Sequence, residues 1–168
     1  PNYNDFNVSA TMTIDNAVLT GITFNNGTFT YDGTAHSIFV SGAPAGATVT
    51  YTGNAQTNAG TYTVNALIQM PNYNDLQLSA TMTIDNAVFT GITFNNGTFT
   101  YDGTAHSIFV SGAPAGAAIT YTGNGQTNAG TYTVNALVQK PNYNDFNVSA
   151  TMTIDNAVFT GITFNNGT

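Results

Sequence analysis

Cysteine, arginine and glutamate are absent from this 168-residue chain, and Lys140 is its only lysine. Without cysteine no disulfide can stabilise it, and the lack says little about compartment. Eight aspartates against one lysine give a net charge of −7. Nothing here neutralises phosphates, which excludes nucleic acid as an ordinary partner and an anionic membrane as a surface. No apolar run is long enough for a helix to span a bilayer. Charged residues make up only 5% of the chain, so its polar surface has to come from Thr, Asn, Ser and Gln.

What the sequence does have is repetition. Pro1-Asn2-Tyr3-Asn4-Asp5 recurs at Pro71 and at Pro141, a strict period of 70 residues. Residues 17–86 and 87–156 differ at nine of 70 positions, among them Leu19/Phe89, Val49/Ile119, Ala55/Gly125, Ile68/Val138 and Leu76/Phe146. A module copied this faithfully is read as one whose use lies in its length and number. The period is too long for a solenoid coil and suits a small domain, which buries only about 60% of its unfolded surface and gains from its neighbours. We therefore expect 1–16 to be the end of a preceding repeat, 17–86 and 87–156 to be complete units, and 157–168 to begin a following one. The chain reads as a window on a longer array.

Alternation with period two runs through each repeat, and nothing reads at period 3.6. Tyr62, Val64, Ala66 and Ile68 form one such run, and Leu78, Ala80, Met82 and Ile84 another, with Ser79, Thr81 and Thr83 between them. Turn clusters such as Asn25-Asn26-Gly27, Asp32-Gly33, Gly53-Asn54 and Asn58-Ala59-Gly60 separate the runs. Strands are expected near 20–24, 28–31, 35–41, 47–52, 60–69 and 77–84. Six or seven short strands between regular turns define an all-β class of tandem immunoglobulin-like β-sandwiches. Their interior should hold Tyr62, Val64, Ile38, Val40, Met82 and Ile84, with Thr61, Thr63, Thr81 and Thr83 outside.

Three stretches carry a family resemblance: Tyr31-Asp32-Gly33-Thr34-Ala35-His36, then Pro44-Ala45-Gly46 leading to Val49-Thr50-Tyr51, then Asn58-Ala59-Gly60-Thr61-Tyr62-Thr63-Val64. Together they resemble the bacterial MBG/YDG-type repeats, mostly-β, glycine-rich, immunoglobulin-like modules of large surface proteins and adhesins. The resemblance covers each whole repeat and recurs at Tyr101–His106 and Asn128–Val134. It implies an extracellular stalk or adhesin segment and brings no catalytic residues with it.

Between the runs ending near Ile84 and starting near Gly91 lie Asp85, Asn86, Ala87, Val88, Phe89 and Thr90. This inter-repeat joint has no Gly/Ser flexibility, so it should be stiff. Its apolar members are expected to pack at the junction, or else one long strand leaves its own domain and completes the next. Almost uncharged strand edges would tolerate added strands, so units are expected to associate beyond beads on a string.

The remaining candidates read as structure. Asp32 and Asp102 belong to Asp-Gly turns, and Asp75 and Asp85 are too few carboxylates for a linker calcium site. No metal or cofactor is expected. His36 and His106 have no second His and no Cys at ligand spacing, and Ser37 points to the opposite face from His36. No nucleophile, base and orienter come together, so no enzyme is expected. Asn7, Asn26, Asn96, Asn147 and Asn166 sit in Asn-x-Ser/Thr sequons, which arise by chance in so Asn- and Thr-rich a chain. Thr-x-Thr ladders at Thr28/Thr30, Thr48/Thr50, Thr61/Thr63 and Thr81/Thr83 bring ice binding to mind, but a twisted sandwich lacks the flat array ice needs. A Lys–Asn isopeptide staple is set aside because Met70 stands where Lys140 does.

The expected function is structural: repeats of an extracellular fibre or cell-surface stalk, with neighbouring repeats and further copies as partners. Adhesin repeats that themselves bind a glycan or protein are the alternative.

Overall fold

The computed structural model describes residues 2–165 and 167. Among these the regular structure is entirely β, and no helix is long and apolar enough to cross a membrane. The chain divides into two compact units, Pro1–Asp85 and Asn86–Thr168. The first contains β1 (Gly27–Thr30), β2 (Thr48–Thr52), β3 (Gly60–Gln69) and β4 (Leu76–Asp85). The second repeats them as β5 (Gly97–Thr100), β6 (Ala118–Thr122), β7 (Gly130–Gln139) and β8 (Phe146–Asp155).

In the first unit the sheet order is β1-β4-β3-β2. β3 and β4 form a long antiparallel hairpin, with Gly60 opposite Ile84 and Ile68 opposite Leu76. Its turn follows from Pro71 and Asn72. Proline presets the second turn position, and Asn72 takes the left-handed conformation (φ 64°) that Asn tolerates at the third. The Tyr73 amide then donates to the Met70 carbonyl at 3.1 Å. β2 pairs antiparallel with β3, and β1 runs parallel to β4. β4 is thus a central strand of its own unit's sheet, and β8 holds the same place in the second.

Facing this sheet is a layer of extended segments joined by single bridges rather than ladders. Thr23 exchanges both backbone hydrogen bonds with Ser41 (3.0 and 2.9 Å), and His36 does the same with Gln56 (2.9 and 3.1 Å). The strands expected at 20–24 and 35–41 are therefore extended chain without a regular ladder. Side chains take the ladder's place. Asn54 accepts from the Ile38 amide at 3.0 Å and donates to the Ile38 carbonyl at 2.8 Å, while the Tyr51 hydroxyl accepts from the Val40 amide at 2.9 Å. Buried backbone groups need partners, and here two side chains supply them.

The core lies between these layers, which makes each unit an immunoglobulin-like sandwich. Ile38, Val64, Ala80 and Met82 are buried, with Phe24, Phe29, Tyr51 and Tyr62 packed around them. Ile84 is also buried, whereas Tyr62 and Val40 are half-buried. Thr61 and Thr63 are exposed on the outer face, and Thr81 and Thr83 are partly covered there. A second cluster, at the end of the unit near the β3–β4 turn, joins Leu19, Ala66 and Ile68 with Val49, Met70, Leu76 and Leu78. Six of the nine differences between copies fall in that cluster: Leu19/Phe89, Val49/Ile119, Ile68/Val138, Met70/Lys140, Leu76/Phe146 and Leu78/Val148. In the second unit the larger Phe89 stacks on Tyr143 at 4.8 Å and meets Phe146 edge-on at 6.5 Å. There Val138 and Val148 replace Ile68 and Leu78, so added and lost volume stay close together. A seventh difference has a backbone reason. Ala55 holds φ 59°, and Gly125 holds the same left-handed region (φ 72°) without a Cβ to strain it.

Candidate functional site

The six joint residues divide between the units. Asp85 closes β4 opposite Thr30, and its carbonyl accepts from the Tyr31 amide at 2.8 Å. Ala87 is already part of the second unit: its amide donates to the Asn142 carbonyl at 2.9 Å and its carbonyl accepts from the Asn144 amide at 2.9 Å. Only Asn86 lies between these bonded segments, and its side chain donates to the Asn144 amide oxygen at 3.3 Å. Ala87 is buried, Phe89 is half-buried on Tyr143, and Val88 and Thr90 are exposed. Phe89 thus packs against residues of its own unit. A six-residue run of two polar, three apolar and one polar residue does not reveal from sequence where one unit stops bonding and the next begins.

The Tyr-Asp-Gly turn builds a polar cluster. One oxygen of Asp32 accepts from the Thr34 amide (2.8 Å) and the Thr34 hydroxyl (2.6 Å), and His36 Nε2 lies 3.1 Å from it. The His36 ring stacks on Phe29 with centroids 4.6 Å apart. Asp102, Thr104, His106 and Phe99 repeat the arrangement. The Thr34 hydroxyl, then the Thr34 amide and the nearby imidazole, hold the Asp32 carboxyl below its usual 3.8. Asp102 is lowered in the same way by Thr104 and His106. These contacts lock the turn. A carboxyl with a depressed folded value stabilises the fold above its unfolded value and loses that contribution as pH falls through the folded one. Thermal melts should therefore show stability falling as pH drops below 3.8, with a shallower fall in the Asp32→Ala/Asp102→Ala double variant. Identical acid limbs would show that these turns do not sense pH.

No group of three or more His, Cys, Asp or Glu is placed to hold a metal among the described residues. Of the sequons, Asn26 and Asn96 are engaged, their side-chain oxygens accepting from the Thr81 (2.8 Å) and Thr151 (2.7 Å) amides. Asn7 and Asn147 are exposed, and Asn166 lies outside the described residues. Lys140 rests its ammonium 5.2 Å from the Tyr143 ring centre, a cation–π contact that Met70 cannot make. A shallow depression of about 660 Å³ on the outer sheet face is lined by Thr50, Thr52, Asn65, Leu67, Gln77 and Ser79. Cross-strand rows there, such as Thr50-Leu67-Gln77, mix side-chain types, so the face is not a uniform threonine array.

What the two units share is the repeated sandwich, four strands in the same order in each. The MBG domain model matches residues 20–88 and again 90–158, and the chain belongs to this family. It is a tandem MBG repeat. No curated protein matches it. Among solved structures it is similar to human protocadherin-24 EC1-2 at 8% identity and a TM-score of 0.35, over 83% of this chain and 100% of that one. Drosophila N-cadherin EC1-4 matches at 12% identity and 0.32, over 86% and 50%. The tandem Ig repeats of Dlar match at 9% and 0.29, over 81% and 97%.

Proposed function

We propose that this chain is a structural segment of a long extracellular fibre or surface stalk, built of MBG units in series, in which the number of repeats sets the reach. One observation carries the reading. Within a unit the first bonded residue, Ala17, sits beside the β3–β4 turn at Asn72–Asn74, and the last, Asp85, sits at the far end of β4. Entry and exit are thus separated by a ten-residue strand, roughly 30 Å at about 3.3 Å per residue. A unit threaded from end to end adds length with each copy, whereas one whose ends meet would add only bulk. Faithful copying and the single residue between bonded segments support the same reading. Its partners are neighbouring repeats and further copies of the chain, and its role is non-enzymatic.

The test is to insert one further copy of residues 87–156 in phase and measure the maximum dimension by small-angle scattering. An increment of about 30–40 Å per inserted repeat is expected, from strand length plus turns. A gain in mass without that gain in length would overturn the stalk. Adhesin repeats that bind a neutral glycan or protein are the second reading, favoured by the hydroxyl- and amide-lined depression on the outer sheet face. Glycan binding abolished by Asn65→Ala/Gln77→Ala would support it.

A further inference from the structure

We propose that the free edge of β2, and of β6 in the second unit, is a lateral docking surface for a second copy of this chain, which adds its own β2 or β6 antiparallel to it. The edge is open: β2 ends the sheet order, and its backbone pairs only with β3 among the described residues. It is also unguarded. Residues 46–53 read Gly-Ala-Thr-Val-Thr-Tyr-Thr-Gly, with no charge and no proline, and residues 116–123 likewise have neither. Edge strands in soluble proteins normally carry such blocks, Lys above all. The opposite edge, β1, is only four residues long and runs into Asp32, with Asp85 paired to its last residue.

A second, independent observation marks the same flank. Phe39 is 67% exposed, as is Phe109, its counterpart. Each stands edge-on to the tyrosine of the edge strand, Phe39 5.7 Å from Tyr51 and Phe109 5.8 Å from Tyr121. Val18 is the only other large apolar side chain as exposed within 17–85. A bare backbone edge beside an uncovered aromatic ring offers hydrogen bonds and apolar area together, the combination that strand addition uses.

The occupant follows from the strand's own pattern. In Thr48-Val49-Thr50-Tyr51-Thr52 the exposed threonines are symmetric about Thr50. An antiparallel copy centred there sets Thr50 against Thr50 and Thr48 against Thr52 on the outer face. Val49 then meets Tyr51 on the inner face, and no charge opposes another. A highly charged partner strand would find nothing to pair with. Each chain offers two such edges, 70 residues apart, so a first contact raises the effective concentration for a second. This deepens the self-association proposed above by giving it a surface, and it can fail while the stalk stands, since a strictly monomeric chain still lengthens with each added repeat.

The absence of cysteine makes the test clean. Opposed residues in an antiparallel pair have Cα atoms about 4.5–5.5 Å apart, within disulfide reach. In the full chain, Thr50→Cys/Thr120→Cys should cross-link between copies on mild oxidation. Thr63→Cys/Thr133→Cys, exposed on the non-edge strands β3 and β7, should not. Sedimentation of the unmodified chain should show mass rising with concentration between about 1 μM and 1 mM, and Thr50→Lys/Thr120→Lys should weaken this at least about tenfold. If the lysine variant loses its β-sheet circular dichroism, Phe39→Ser/Phe109→Ser, which alters only exposed rings, is read in its place with the same expectation. A chain monomeric throughout, or cross-linking as fast at positions 63 and 133 as at 50 and 120, overturns the proposal.

Discussion

Truncating Met82 to alanine should melt the first unit well below the second, turning one thermal transition into two. Met82 is fully buried and packs with Ile38, Val64 and Ala80 under Phe24, Phe29, Tyr51 and Tyr62. Removing a buried side chain of that size costs about 2–5 kcal/mol in transfer and cavity terms. A unit of some 70 residues has only about 5 kcal/mol to lose. The second unit builds the equivalent cluster from its own Ile108, Val134, Ala150 and Met152, so its transition should stay where it was. Met152→Ala should exchange the two halves. Calorimetry decides this, and an unsplit, unshifted transition in both variants would contradict the core assignment.

Gly53→Ala should be nearly as damaging, although it adds a single methyl group. Gly53 holds φ 79°, where an L-residue is already strained, and a Cβ there would lie 2.4 Å from the Thr63 carbonyl oxygen. That oxygen belongs to β3, a central strand, and cannot swing aside as a flexible side chain would. Either the β2–β3 register opens or the turn rebuilds, and a loss of about 2–3 kcal/mol is expected from conformational strain plus overpacking. Gly33→Ala makes the comparison, since φ is 85° there and nothing stands within 4 Å of the added carbon. It should cost only the strain, about 1 kcal/mol. Denaturant midpoints of the two variants measure the difference, and equal losses would show that the close approach at Gly53 is not what fixes it as glycine.

Much of this was legible from residue pattern alone. The alternation in Tyr62–Ile68 and Leu78–Ile84 fixes which faces of β3 and β4 are buried, because a pleated strand leaves no other choice. Segment 35–41 shows where pattern fails. Ile38 and Val40 alternate as a strand should, but their backbone partners are the side chains of Asn54 and Tyr51, and nothing in a local window announces a side chain standing in for a strand. The cover of the joint was hidden for a related reason. Ala87 and Phe89 are apolar and need cover, yet that cover comes from Tyr143 and Phe146, more than fifty residues away. The clustering of six differences in one end of the core was equally hidden, since their proximity exists only after folding. The Asp32–Thr34 turn was readable as an Asp-Gly turn; the His36 ring stacked on Phe29 was not.

The parallel pairing of β1 with β4 decides how a unit answers a pull. Tension along the chain draws the Ala17 end backward and the Asp85 end forward. Because β1 and β4 run in the same direction, that tension slides one strand along the other. The hydrogen bonds from Gly27–Met82 to Thr30–Asp85, with the Tyr31–Asp85 bond beyond them, then bear the force together rather than opening one after another like a zip. Before β4 can slip a single residue it must also draw Met82 and Ile84 out of the core. An antiparallel pairing of the terminal strands would peel. This one has to shear.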